Sequence, residues 1–377
     1  MKVLIIRNAF EHDFGGAEKL SVQVAEEISN LGYESIVISR HKQLLSFAKS
    51  RGVKNIRGWW WSKQNWSGIS CLLLPIYMAW LLALIFYYIF IFLKYSPDVI
   101  QIFSKDDFIS GTIAGKILGK QIIWTDCADL KHILKLKNAW YKNLVGRVIF
   151  WASLKANWVC SVSYSEKKLV EESLGRKVPN NYTVIRLGAK EQKPNKISRN
   201  DKDTNSVIFC TASRMVTDKG IAELIDAFLR LQEKDIESRL WLIGDGKEKN
   251  LFEKRAVQNK NIVFFGHINN PLDYVNISDV FVLATYHEGF SLSLTEACML
   301  GKPMIATNVG GNPEIVDDTN GILVKPKDPK ELFEAMFRLA KDRPARLNLG
   351  EKAKKDYLTK LSFSLTVKNE LVPLYEK

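Results

Sequence analysis

Two glutamates stand eight positions apart, Glu288 and Glu296, in the stretch ATYHEGFSLSLTEACMLGKPMIATNVGGNPEIV from Ala284 to Val316. An apolar run, Val280–Ala284, precedes them and reads as a fully buried strand. Gly289 follows the first glutamate and permits a tight turn. Ser291 and Ser293 are good helix starters, so the spacing predicts a short helix over Leu294–Leu300, closed by Gly301-Lys302-Pro303. The two carboxylates are acceptors for hydroxyl donors. The backbone amides of Phe290, Ser291 and Leu292 would open a helix N-terminus, which receives phosphate or sugar oxygens. A ligand with two hydroxylated rings joined by a diphosphate satisfies all of these groups at once. The plain alternative makes Glu288 a loop charge and Glu296 a solvated helix residue; Gly289, Gly310 and Gly311 around them weigh against it.

Cleavage of such a diphosphate builds negative charge that a metal or cations must neutralise. Arg214 and Lys219 follow the strand expected at Val207–Ala212 and offer a bidentate guanidinium and a point charge. No His/Cys cluster has metal-ligand spacing, and Asp201-Lys202-Asp203 falls in a polar stretch away from any strand end, so no metal is expected. Near the start, Phe14-Gly15-Gly16 joins a strand to a helix. Its glycines admit close approach of a phosphate, or simply make a tight turn; the residues alone leave the two readings equal. The GxGxxG fingerprint is absent, which removes the main support for a dehydrogenase. Asp126-Cys127-Ala128-Asp129 sits at the end of the strand expected at Gln121–Thr125, and Gly266-His267 ends another. In open α/β sheets, such carboxyl ends hold the ligand.

The Glu-x7-Glu stretch and its surroundings, EGFSLSLTEA followed by GKPMIATNVGGNPEIV, resemble the nucleotide-sugar site of retaining glycosyltransferases of family four. The resemblance implies a GT-B fold: α/β, two Rossmann-like domains with parallel sheets facing a central cleft. It implies a nucleoside-diphosphate sugar as donor, with no cofactor and no metal. Glu288 would hold sugar hydroxyls and Glu296 the ribose hydroxyls. Arg214 and Lys219 would neutralise the leaving group, a role that the RMVTDK spacing matches. Gly15 and Gly16 would face the diphosphate, while Gly266 and His267 would lie beside the base. Many members carry a His after the strand matching QIIWT. Here Cys127 stands in that place, which leaves Asp126 as the chosen orienting group and His132 as an alternative one turn later. The expected activity is retaining transfer of a sugar to a lipid-linked or cell-envelope glycan acceptor; the alternative is a catalytically inactive, membrane-bound binding subunit of the same fold, for which Cys127 is the hint.

These groups need two scaffolds to carry them. The chain has 377 residues, nearly half of them apolar, enough for two cores. Strand–helix alternation runs from Lys2 to Gly188, then restarts at Val207 after a polar stretch, Glu191–Ser206, that reads as a linker. The expected domains are residues 1–190 on the acceptor side and 191–355 on the donor side, with a C-terminal helix over about 356–377 returning to the first. Charge is lopsided: residues 1–190 carry 26 Lys/Arg against 14 Asp/Glu, and residues 191–377 carry 28 against 27. No nucleic-acid-binding motif accompanies the basic half, so an anionic membrane is the expected partner. The five cysteines are scattered and form no CxxC, which fits reduced thiols in a cytosolic compartment. Between Lys63 and Lys94 there is no charge at all, and Ile69–Leu93 is almost wholly apolar behind a cluster of tryptophans, Trp59, Trp60, Trp61 and Trp66. Length and apolarity suggest a membrane span. If the strands on both sides belong to one sheet, a single crossing is excluded. Monotopic insertion at the cytoplasmic face is preferred to burial in the protein.

Overall fold

The computed structural model describes residues 1–8, 16–59, 74–104, 107–126, 151–199, 206–257 and 259–377. The expected features at Gly15, Trp60, Trp61, Trp66, Cys127, Asp129, His132, Asp201 and Asp203 lie outside them.

Two compact units are built from α/β alternation. The first comprises Met1–Ile185 and Val367–Lys377. It begins with β1 (Lys2–Ile6), α1 (Gly16–Asn30), β2 (Glu34–Ser39), α2 (Lys42–Ser50), β3 (Lys54–Arg57) and α3 (Leu74–Tyr95). It continues with β4 (Val99–Ile102), α4 (Phe108–Ile117), β5 (Gln121–Asp126), β6 (Trp158–Ser161), α5 (Tyr164–Leu174) and β7 (Tyr182–Val184). The seven strands are all parallel, in the order β3-β2-β1-β4-β5-β6-β7, so the chain reverses direction across the sheet between β1 and β4. Runs such as KVLII in β1 are apolar on both faces because helices cover both faces of a parallel sheet. Strand β3 (KNIR) is mostly polar because it is the sheet edge.

The last residues complete this unit. A π-helical turn, Val367–Leu371, leads into Val372–Tyr375, which ends against the first sheet. Tyr375 is buried, and its hydroxyl donates to Gln101 Oε1 at 2.5 Å. Gln101 in turn donates to Thr125 Oγ1 at 2.8 Å, and Gln121 Nε2 donates to the Leu374 carbonyl at 2.6 Å.

The second unit spans Arg186–Thr366. It holds β8 (Val207–Ala212), α6 (Ile221–Gln232), β9 (Ser238–Ile243), α7 (Lys249–Arg255), β10 (Ile262–Gly266), α8 (Leu272–Ile277) and β11 (Val280–Leu283). Next come α9 (Leu292–Met299), β12 (Met304–Thr307), β13 (Gly321–Val324), α10 (Pro329–Lys341) and α11 (Arg343–Asp356). Its parallel sheet has the order β10-β9-β8-β11-β12-β13, with a switch point between β8 and β11. The stretch expected to be a free linker is partly tied down: the Asn195 amide donates to Asp273 Oδ1 at 2.7 Å, and Arg199 Nε donates to the Ile277 carbonyl at 2.8 Å. The two units divide at Ile185/Arg186.

The apolar segment is helical from Leu74 and has two different faces. Leu81, Leu84, Ile85, Tyr88, Ile91 and Phe92 lie in the core with β1, β2 and β4 side chains. Among the described residues, no helix is long and apolar enough to cross a membrane.

Candidate donor site at the switch point

The site grows from the loops that leave β8 and β11. Arg214 lies two residues past β8 and is exposed. Lys219 ends a 3-10 turn, Thr217–Lys219, before α6. From the other side of the switch point, the loop after β11 carries Glu288. Its Oε2 accepts from Lys219 Nζ at 2.7 Å, and both side chains are about four-fifths shielded from solvent. Sequence separation hides this pairing, since the partners are 69 positions apart. Strand order creates it.

The loops are held by backbone contacts. The Asp218 carbonyl accepts from the Tyr286 amide at 2.8 Å and from Thr285 Oγ1 at 3.1 Å. Gly220 sits at φ 64, and a Cβ there would lie 2.0 Å from the Ala284 carbonyl oxygen, so only glycine lets the loops close on each other. Tyr286 donates to Glu223 on α6 at 2.5 Å; burial, and then this acceptor, push its hydroxyl pKa up. On the opposite flank Glu248 accepts from the amide and hydroxyl of Thr217, and that hydroxyl holds its carboxyl below the usual carboxylate range. Thr217 and Glu248 were not among the sequence candidates. They act by fixing the backbone between Arg214 and Lys219.

The helix after Glu288 starts slightly earlier than its sequence suggests. Ser291 is the N-cap of α9, and its Oγ accepts from the Leu294 amide at 3.2 Å. The amides of Leu292 and Ser293 thus head the helix with no partner inside it. Ser293, 3.1 Å from Ser291 Oγ through its own hydroxyl, joins the expected Phe290, Ser291 and Leu292. Gly289 and Phe290 lie in the half-buried turn between Glu288 and this helix. Glu296 projects from α9 and is half-buried. Gly266, at φ 68, closes β10 and accepts from the Gly244 amide at 2.9 Å, while His267 beyond it is exposed. All these residues belong to the second unit and to loops or helices leaving the carboxyl ends of its strands. Gly16, the first residue of α1, and Asp126, buried as the last residue of β5, belong to the first unit. Among the described residues, no group of three or more His, Cys, Asp or Glu is gathered as a metal ion requires.

The loop after β12 supports the glutamate from behind. Gly310 lies at φ 52, and a Cβ on it would stand 1.7 Å from the Glu288 carbonyl oxygen. Gly310→Ala is therefore expected to cost about 1–3 kcal/mol of stability through left-handed strain and the displaced Glu288 loop. Urea unfolding measures this, and an unchanged midpoint would show that the two loops do not depend on one another.

Residues 192–356 match the model of the family Glycosyl transferases group 1. The chain is 33% identical over 167 residues to the capsular polysaccharide biosynthesis glycosyltransferase CapM of Staphylococcus aureus, covering 43% of this chain and 44% of that one. The matched stretch thus spans less than half of that relative. Among solved structures, a glycosyltransferase from Rickettsia africae superposes with a TM-score of 0.78 at 21% identity, over 100% of this chain and 98% of that one. Anabaena HepE in complex with UDP-glucose superposes with a TM-score of 0.74 at 16% identity, over 100% and 98%. The two α/β units with parallel sheets match GT-B glycosyltransferase structures.

Proposed function

We propose that the chain is a retaining, metal-independent glycosyltransferase of family four. It moves a sugar from a nucleoside-diphosphate sugar to a lipid-linked or cell-envelope glycan acceptor at the cytoplasmic face of a membrane. The Lys219–Glu288 pair across the β8/β11 switch point, beside the open end of α9, carries this reading. UDP-glucose in the HepE structure and the capsular role in the name of CapM support it.

In the reaction, the bond between the anomeric carbon and the diphosphate oxygen breaks. The acceptor oxygen bonds to the same face of that carbon, and its proton passes to the leaving phosphate. Arg214 and Lys219 neutralise the charge that develops on the diphosphate, and the amides of Leu292 and Ser293 add fixed dipoles. Glu288 binds sugar hydroxyls and orients Lys219; Glu296 takes the ribose hydroxyls; Gly266 and His267 flank the base. On the first unit, Gly15 and Gly16 serve the diphosphate and Asp126 orients the acceptor.

A panel of UDP-, GDP- and ADP-sugars, assayed for nucleoside diphosphate release by the purified protein, tests the proposal. One donor class should turn over, and excess EDTA should leave its rate unchanged because cations of the protein do the neutralising. Silence with every donor would sink the reading. Complete loss on chelation, reversed by adding metal, would bring Asp201 and Asp203 back as ligands.

A further inference from the structure

Helix α3 presents to solvent a face as apolar as the one it buries. Ile76, Leu82, Phe86, Phe90 and Leu93 are 52–69% exposed, and they recur at helical spacing along one side. The opposite side, from Leu81 to Phe92, is locked into the sheet core. A row of large exposed apolar side chains of this length marks an interaction surface. Its surroundings identify the partner. From Ser35 to Pro97 the sequence has eight Lys/Arg and no Asp or Glu. Lys94 Nζ lies 6.0 Å from the Phe90 ring centroid and 5.5 Å from that of Tyr95, a cation seated over the end of the stripe. Trp59 is 82% exposed, with its ring centroid 6.3 Å from that of Tyr87, at the flank where an amphipathic ring meets headgroups. Apolar side chains, an aromatic flank and Lys94 at the end of the stripe together match an anionic bilayer surface.

We infer that the outer stripe of α3 is a lipid-docking face and that the helix lies flat on the membrane. Its core-facing residues run from Leu81 to Phe92, about three turns of the helix, so it cannot turn on end without leaving the sheet. This deepens the membrane partner of the proposed function and rests on that reading for its use. The docking helix also reaches the carboxyl edge of its own sheet. Tyr88, on the buried face, donates to Asp107 Oδ1 at 2.7 Å, and Asn8, just past β1, donates to Asp107 Oδ2 at 2.8 Å. Docking through α3 therefore holds that edge at a fixed height above the lipid.

Flotation of the full chain with phosphatidylcholine vesicles, with and without phosphatidylglycerol, tests the inference. Wild type should float with the anionic vesicles and much less with the neutral ones. Leu82→Asp/Phe86→Asp should lower the bound fraction by about tenfold or more. Both positions are exposed, so its circular dichroism and thermal midpoint should match wild type; Phe90→Glu alone serves as a second, milder variant. Wild type that stays in the dense fraction with both vesicles overturns the inference, as do variants that float like wild type. A concentration-dependent dimer that these substitutions abolish, without flotation, would give the face to a second copy instead. Donor turnover in the same preparations separates the two readings: flotation without turnover sinks the enzyme, and turnover without flotation sinks the docking face.

Discussion

Arg214→Ala should lower donor turnover by about a hundred- to a thousandfold, the loss typical of removing one preorganised group aimed at developing charge. Arg214 is exposed beyond the end of β8 and packs in no core, so the fold should be unaffected. The effect should fall on kcat more than on KM, because the leaving diphosphate gains charge only as the bond breaks. Arg214→Lys should recover little, since a point charge does not reproduce a two-pronged contact to phosphate. Steady-state release of nucleoside diphosphate reads all of this. A variant with wild-type kcat would remove Arg214 from the chemistry and leave Lys219 alone in that role.

The glutamates should fail in a different way. Glu296→Ala is expected to lower kcat/KM for the donor by about ten- to a hundredfold, because a sheltered hydroxyl loses its acceptor. Wild type should prefer a ribose donor over its deoxyribose counterpart, and the variant should lose that preference. Glu288→Ala should cost at least as much. It removes a contact to the sugar and also releases Lys219, whose ammonium Glu288 holds at 2.7 Å. The Lys219→Ala/Glu288→Ala double variant should therefore be less impaired than the product of the single effects. Ribose preference that survives in Glu296→Ala, or strictly multiplicative effects at Lys219 and Glu288, would break the assignment of the two carboxylates.

Much of this arrangement was legible in the sequence because local chemistry and global fold agree there. Continuous apolar runs such as Val207–Ala212 mark strands of a parallel sheet, and the Gly289 turn with the Ser291 cap announces the helix of the site. Features that depend on distant neighbours stayed hidden. Strand β3 lacks an apolar pattern because an edge strand has one flank in water. The Glu191–Ser206 stretch looks unattached, yet Asn195 and Arg199 find partners on α8. For Ile69–Leu93, weighed between insertion and burial, the described helix from Leu74 combines a buried face with an exposed one. An inner face in the core and an outer face open to solvent are both apolar, so their period cancels in the sequence and only the packing separates them. The Lys219–Glu288 pair joins loops from two strands that the sheet, not the chain, makes adjacent.

The return of Val367–Lys377 to the first unit sets an order of events during synthesis. Chains emerge from the ribosome at about 5–20 residues per second, and domains generally fold as they appear. Here the first unit holds Gln101 in its core, and the hydroxyl that donates to Gln101 Oε1, that of Tyr375, is made only after the second unit. Until then Gln101 has its Thr125 contact but lacks the one from Tyr375, and the Gln121 side chain has no Leu374 carbonyl to meet. The second unit, contiguous from Arg186 to Thr366, can close before the first is finished. The nascent first unit thus spends the whole translation of the second one in an incomplete state, with the apolar stripe of α3 already made. A membrane surface or a chaperone that shelters this stripe during those seconds would act on the protein before it has any activity to lose.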